Sequence, residues 1–429
     1  MQLQPQHRLC ISGGHVFDPS QNLDSVLDIF IENERIVAIG CAPEGFVANT
    51  TLDASGQMVF PGFIDLHSFL AEPGFNQKGS IATETQAAAR SGFTTICCTP
   101  NTKPVIDSSA VAALIQEKAK QAGHCSVLTL GALTANLEGE QLSNMSGLKE
   151  AGCVALSNLE LPFKNSHVIK QCYHYAAGFN ITAIVTPIDT ALAHGGCMHE
   201  GPASTQMGLP GVPVSAETSA LAQHLILCEE TGVQLHISRI SSARALDMII
   251  KAQQDGLPVT ADVALGNLVF TDESCRGYDS LMHVSPVYRS KSDRLALLDG
   301  VNKGHLSICS NHSPQDLAAK MAPFSASEAG INSLDNFTQV LLSLVHKQEL
   351  TLEAAIKAVS SSPASVLQQK LGTIALEQRA DLCIVNLEQA VTSESETLMS
   401  KGRNNPWLGT PFKGGVTHTI NGGHIVFQN

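Results

Sequence analysis

The chain has 429 residues, 43% of them hydrophobic and 15% charged, with 34 glycines and 19 prolines spread along it; this is the composition of an ordinary globular protein, long enough to bury a sizeable core. The formal charge of −13 argues against nucleic-acid and anionic-membrane partners, which demand clustered Lys and Arg. No apolar run reaches the roughly 20 residues of a membrane helix and MQLQPQHRLC has no apolar signal core, so a cytoplasmic location is expected.

From Leu9 to about Val59 the pattern is short and β-like, and LDIFIENERIVAIG alternates around a turn at Asn33 and Glu34. Similar strands return at the other end in ADLCIVNL and in VTHTINGGHIVF, which carries a Gly-Gly turn. Neither end is long enough to be a domain alone. Residues 1–59 and 372–429 are therefore expected to assemble one composite β-sandwich, with residues 60–371 inserted between them.

The inserted segment repeats an apolar strand, a polar or Gly/Pro loop and an amphipathic helix. The strand candidates are FIDLH, TTICCTP, SVLTLGAL, VALSN, TAIVTP, VQLHIS, VTADVAL and LSICSNHS, with helices such as SSAVAALIQEKAKQAG and SAETSALAQHLILCEETG between them. This alternation predicts an α/β protein built on a (β/α)8 barrel, followed by helices from Ser325 to Leu367. The 12 cysteines sit singly in apolar stretches without zinc-type spacing and read as small hydrophobes in a reducing compartment. Cys97 and Cys98, adjacent on one strand, are expected to face opposite sides.

Barrel chemistry is placed where strands end and loops begin. The first strand offers His67 there, with Phe69 two residues on where a second ligand would be useful. The fourth ends in Asn158 and Leu159, the fifth in Thr186, the sixth in His236 to Arg239 and the eighth in Asn311 and His312. Hydrolytic zinc sites use three or more His, Cys or carboxylate ligands. His67, His236 and His312 could supply a mononuclear site, but a lone barrel histidine is more often a packed core residue. Arg239 opposes a cation at the same place, and an Asn amide at 311 cannot act as a base near neutral pH. Arg239 itself needs an acceptor, for which Asp65, Glu160, Asp262 and the Asn311 carbonyl oxygen are candidates.

Seven segments, VFPGFIDLH, GFTTICCTPNTKPVIDS, GLKEAGCVALS, ALAHGGCMHEG, GYDSLMHVSPVYRS, GTIALEQRADLCIVNL and SKGRNNPWLGTPFKG, resemble those of dihydroorotases of the amidohydrolase superfamily in the same order. The resemblance covers nearly the whole chain and implies an amidohydrolase-type barrel with a composite β-sandwich. Active members carry His-x-His-x-Arg-Glu-Pro-Gly on the first strand; this chain has His67, Phe69, Ala71 and then Glu72-Pro73-Gly74. The family's bridging acidic pair corresponds to Asn158 and Leu159, two further histidine ligands to Thr186 and Arg239, and its catalytic aspartate to Asn311. Its substrate contacts correspond to Ala71, Ser285 and Gln315. His67 and Asn101 stand unchanged, and Asn101 reads rather as a cap of the PNTKP loop than as a ligand contact.

With these replacements the resemblance implies a pseudo-dihydroorotase that carries no zinc, and no dihydroorotase turnover is expected. Such proteins accompany aspartate transcarbamoylase in some bacteria. The expected role is that of a non-catalytic, stabilising subunit in pyrimidine biosynthesis, as a homodimer within a hetero-oligomer. That assembly would be a dodecamer of six transcarbamoylase chains and six of these. The alternatives are the atypical mononuclear enzyme and a sensor holding a pyrimidine precursor in the barrel mouth.

Overall fold

The computed structural model describes residues 7–429. Eight parallel strands, Phe63–Ser68, Phe93–Cys98, Ser126–Ala132, Ala155–Leu159, Thr182–Val185, Leu235–Ile237, Val259–Ala264 and Leu306–Cys309, are hydrogen-bonded side by side in chain order. A bridge between Ser68 and His312 closes the ring, with the Phe69 N–H donating to the His312 carbonyl at 2.9 Å. The architecture is the (β/α)8 barrel read from the sequence, and each predicted strand is one of its staves.

Ile64, Cys97, Leu130, Ala155, Ile184, Ala264 and Cys309 come from different strands yet pack as one cluster, an arrangement that only interior positions permit. Cys98 belongs instead to the large core between strands and helices. The two adjacent cysteines thus face opposite sides, as strand alternation requires. Ala364, Val366 and Leu367 join the inner cluster. Since the Val366 carbonyl accepts from Thr182, the first residue of its strand, at 3.1 Å, this segment closes the N-terminal end of the barrel. The opposite end stays available to loops.

The helices begin and end where local chemistry dictates. Ile81–Arg90 starts at Ser80, whose Oγ accepts the Thr83 N–H at 3.2 Å. Val214–Thr231 stops at Gly232, whose φ of 67° glycine adopts without strain. Among the described residues no helix is long and apolar enough to cross a membrane. All 12 cysteines are free thiols, and only Cys41 is exposed.

Both ends of the chain contribute to a second sheet. Strand Met58–Pro61 lies within it, parallel to Arg8–Asp18 on one side and antiparallel to Leu382–Thr392 on the other. Hairpins extend each flank: Leu23–Glu32 turns through Asn33 (φ 56°) into Arg35–Ile39, and Pro411–Asn421 turns through Gly422 and Gly423 into His424–Gln428. At the far edge Ile36 donates to the Gln378 carbonyl at 3.0 Å and Ala380 to that of Glu34 at 2.7 Å. The edge therefore curls back to the chain just ahead of Leu382–Thr392, around a core that includes Ile11, Ile29, Val59, Leu382 and Ile384. A bulge between Ile11 and Gly14 supplies the bend. The layers of this companion unit are halves of one hydrogen-bonded sheet.

Barrel and sheet meet at Gly62. Its N–H donates to the Asp381 carbonyl at 2.8 Å, and a Cβ there would lie 2.3 Å from Thr94 Oγ1. Phe60 and Pro61 belong to the sheet, and the first barrel strand starts at Phe63.

Candidate site at the barrel mouth

Four residues at or just beyond strand ends are left-handed without being glycine: Ala71 (φ 61°), Leu159 (φ 55°), Arg239 (φ 58°) and Asn311 (φ 53°). Such backbone is strained for L-residues other than Asn and is held only where its surroundings over-determine it. Arg239 is itself one of the four, its guanidinium bonds Asn311, and it also bonds Glu160, which follows Leu159.

Arg239 is 3% exposed. Its Nη2 donates to Glu160 Oε2 at 2.7 Å and Thr186 Oγ1 at 2.8 Å, and its Nη1 to Asn311 Oδ1 at 2.9 Å, with a longer bond of 3.4 Å to the Ser285 carbonyl. Its Nε is buried without a partner. Of the four acceptors nominated from sequence, Glu160 and Asn311 serve the guanidinium. Asp262 takes the Arg239 backbone N–H instead, at 2.6 Å. Asp65 turns elsewhere, to Ser310 N at 2.7 Å, Ser310 Oγ at 2.5 Å and the Ser68 hydroxyl, while burial pushes its carboxyl above the ordinary range.

The three histidines do not converge as donors. His236 spends Nδ1 on Thr260 Oγ1 at 2.8 Å and Nε2 on Asp262 at 2.9 Å. His312 gives Nε2 to Glu84 at 2.8 Å, while its Nδ1 accepts from the backbone of Ser333 at 3.3 Å. Of the three, His67 alone has a ring with no partner among the described residues. Burial, then Arg239, then His312 hold it well below the usual histidine range, so it is neutral at pH 7. One free imidazole beside a guanidinium does not fit a divalent cation, which needs three or more donors and no adjacent positive charge.

The remaining positions are occupied by packing or by internal bonds. Phe69 lies with its ring 5.7 Å from that of Phe75. Ala71 is fully buried and its carbonyl accepts from Phe75 N–H at 2.8 Å. Asn158 accepts from Thr134 at 2.7 Å, and Leu159 is 6% exposed. Asn311 donates its Nδ2 to the Ser285 carbonyl at 3.1 Å, and Gln315 donates to the Ala329 carbonyl at 3.0 Å. Asn101 accepts from the Thr99 hydroxyl at 2.7 Å, a bond between side chains of one loop.

Sequence reasoning missed two buried acids. Glu84 receives His312 and the Lys401 N–H at 3.2 Å; Glu217 receives Ser241 N at 2.6 Å, Ser241 Oγ at 3.0 Å and the Ser242 hydroxyl. The only local signal was an acid flanked by small residues, in IATETQAAA and SAETSALA.

A closed parallel barrel with a second sheet from both chain ends and its loops gathered at the C-terminal mouth defines an amidohydrolase-type barrel. L-Hydantoinase (dihydropyrimidinase) from Arthrobacter aurescens shares the fold with a TM-score of 0.89 at 20% identity, over 98% of this chain and 96% of that one. Dihydropyrimidinase from Brevibacillus agri does so at 0.84 and 21%, over 98% and 95%. A dihydro-orotase-like family model matches residues 56–245. The chain is 43% identical to a dihydroorotase-like protein of Pseudomonas aeruginosa over 98% of its length and 99% of that protein. It is 37% identical to a dihydroorotase of Trichlorobacter lovleyi, over 98% and 99%. The chain belongs to the dihydroorotase-like family.

Proposed function

We propose that this chain is a catalytically inactive dihydroorotase homologue that serves as the non-catalytic, stabilising subunit of an aspartate transcarbamoylase. The observation that carries the loss of chemistry is the Arg239 guanidinium, bonded to Thr186 and Asn311, two positions where the family places a metal ligand and the catalytic aspartate. Metal-assisted amide hydrolysis needs a cation to lower the pKa of water and polarise the carbonyl, and no such donor set surrounds His67. The barrel nevertheless retains its full core, which is consistent with selection on its surface as part of an assembly. The role as partner of the transcarbamoylase chain rests on the resemblance and on the 43% identity to a protein named dihydroorotase-like. Homodimers that bridge transcarbamoylase trimers would give a closed dodecamer, and the compartment would be the cytoplasm.

Co-expression with the transcarbamoylase chain of the same genome is the test. Co-elution in one large complex, and raised transcarbamoylase activity, are expected; separate elution with unchanged activity refutes the assembly role. A second reading, a working dihydroorotase, is favoured by relatives that carry that name at 37% identity. Turnover by metal-loaded protein that disappears on His67→Ala would establish it in place of the first.

A further inference from the structure

Beside the Arg239 network a cleft of about 260 Å³ opens between the loops after the fifth and sixth strands and the segment 283–289. Arg289 borders it and is only 4% exposed. Its Nε donates to Ser241 Oγ at 3.0 Å; its Nη1 donates to the Val212 carbonyl at 2.6 Å and lies 3.2 Å from His199 Nδ1. The remaining nitrogen, Nη2, has no hydrogen-bond partner among the described residues and is not among the fully buried unpartnered atoms, and Arg289 lines the cleft. A guanidinium fixed through its other nitrogens has little conformational freedom left to lose on meeting an anion.

The rest of the cleft limits what that anion is. Pro187, Ile188, Val212 and Val287 make apolar walls, while Ser285 and His283 add polar lining. The His283 ring is oriented by its Nδ1 contact with Ser327 Oγ at 2.9 Å. Two carboxylates, Glu160 and Glu217, also border the space. They disfavour a dianion such as phosphate more than a monoanion, because each added negative charge meets both. The volume lies below the roughly 300–1,000 Å³ of drug-sized sites. We propose that this cleft binds a short-chain carboxylic acid, its carboxylate on Arg289 Nη2 and its carbon body against Ile188 and Val287. The site borders Thr186 and Ser285, uses neither position 71 nor position 101, and is independent of the assembly reading.

The test is ligand-detected saturation-transfer NMR on the isolated full-length chain, with 3-hydroxybutyrate as probe. Transfer to the probe's methyl group is expected. It should fall by about tenfold or more in Arg289→Met, which removes a charge-assisted bond. A similar fall is expected in Ile188→Trp, which fills the cleft and leaves every Arg289 bond in place. No transfer to the native chain, undiminished transfer in Ile188→Trp, or displacement by an equal concentration of inorganic phosphate overturns the proposal. If Arg289→Met does not fold, the Ile188→Trp result decides.

Discussion

Arg239 joins four loops through one planar group. Lysine could not do this, because a point charge on a flexible stem lacks the fork that reaches Glu160, Thr186 and Asn311 together. Arg239→Met should lower unfolding stability by about 2–4 kcal/mol, since it strands Thr186 and Asn311 and removes the counter-charge of Glu160. Arg239→Lys should restore only part of that loss. Urea titrations of the three proteins measure both, and an unchanged midpoint in Arg239→Met would show that the network carries no stability. This residue was partly legible in the sequence: a buried cation needs an acceptor, and Glu160 lies one position beyond the fourth strand. Glu84 was not legible, because an acid on a helix looks solvent-facing until His312, 228 residues away, is seen to face it.

At the scale of elements, the first-strand loop contains a segment whose contacts are structural. Glu72 receives the Ile81 N–H at 2.9 Å and Lys118 Nζ at 2.6 Å, so it ties the loop to two helices. The Pro73 carbonyl accepts from the Lys103 N–H at 3.0 Å. Gly74 has φ 102°, and a Cβ on it would sit 2.6 Å from the Lys103 carbonyl oxygen. Glu72-Pro73-Gly74 is thus a clamp between the loops after the first and second strands, whatever chemistry precedes it. Gly74→Ala should destabilise by more than the about 1 kcal/mol expected of Gly123→Ala, where φ is 71° and nothing lies within 4 Å. Thermal unfolding of the two variants compares them, and equal losses would remove the clamp. The strands were readable because their periodicity is local. The curling of the terminal sheet was not, since it depends on a bulge and on pairing between Arg35–Ile39 and a segment more than 300 residues later.

For the molecule as a whole, barrel and sheet are joined through Gly62 and through the loop that carries the only tryptophan. Trp407 is 4% exposed and stacks on Phe270 of the barrel with ring centroids 5.7 Å apart, although its loop connects two strands of the terminal sheet. Its fluorescence therefore reports docking between the two units. Denaturation followed by Trp407 emission should coincide with that followed by far-ultraviolet circular dichroism, as one cooperative transition; an earlier fluorescence change would mean that the sheet's loop detaches first. The left-handed turns at Ala71, Leu159, Arg239 and Asn311 carry a different implication. The main chain at these strand ends holds an uncommon geometry, and two of the turns, at Arg239 and Asn311, carry side chains bonded to each other. The backbone at the barrel mouth is thus set apart from the side chains that fill it, and substitutions there would exchange chemistry on one frame with no rebuilding of the fold.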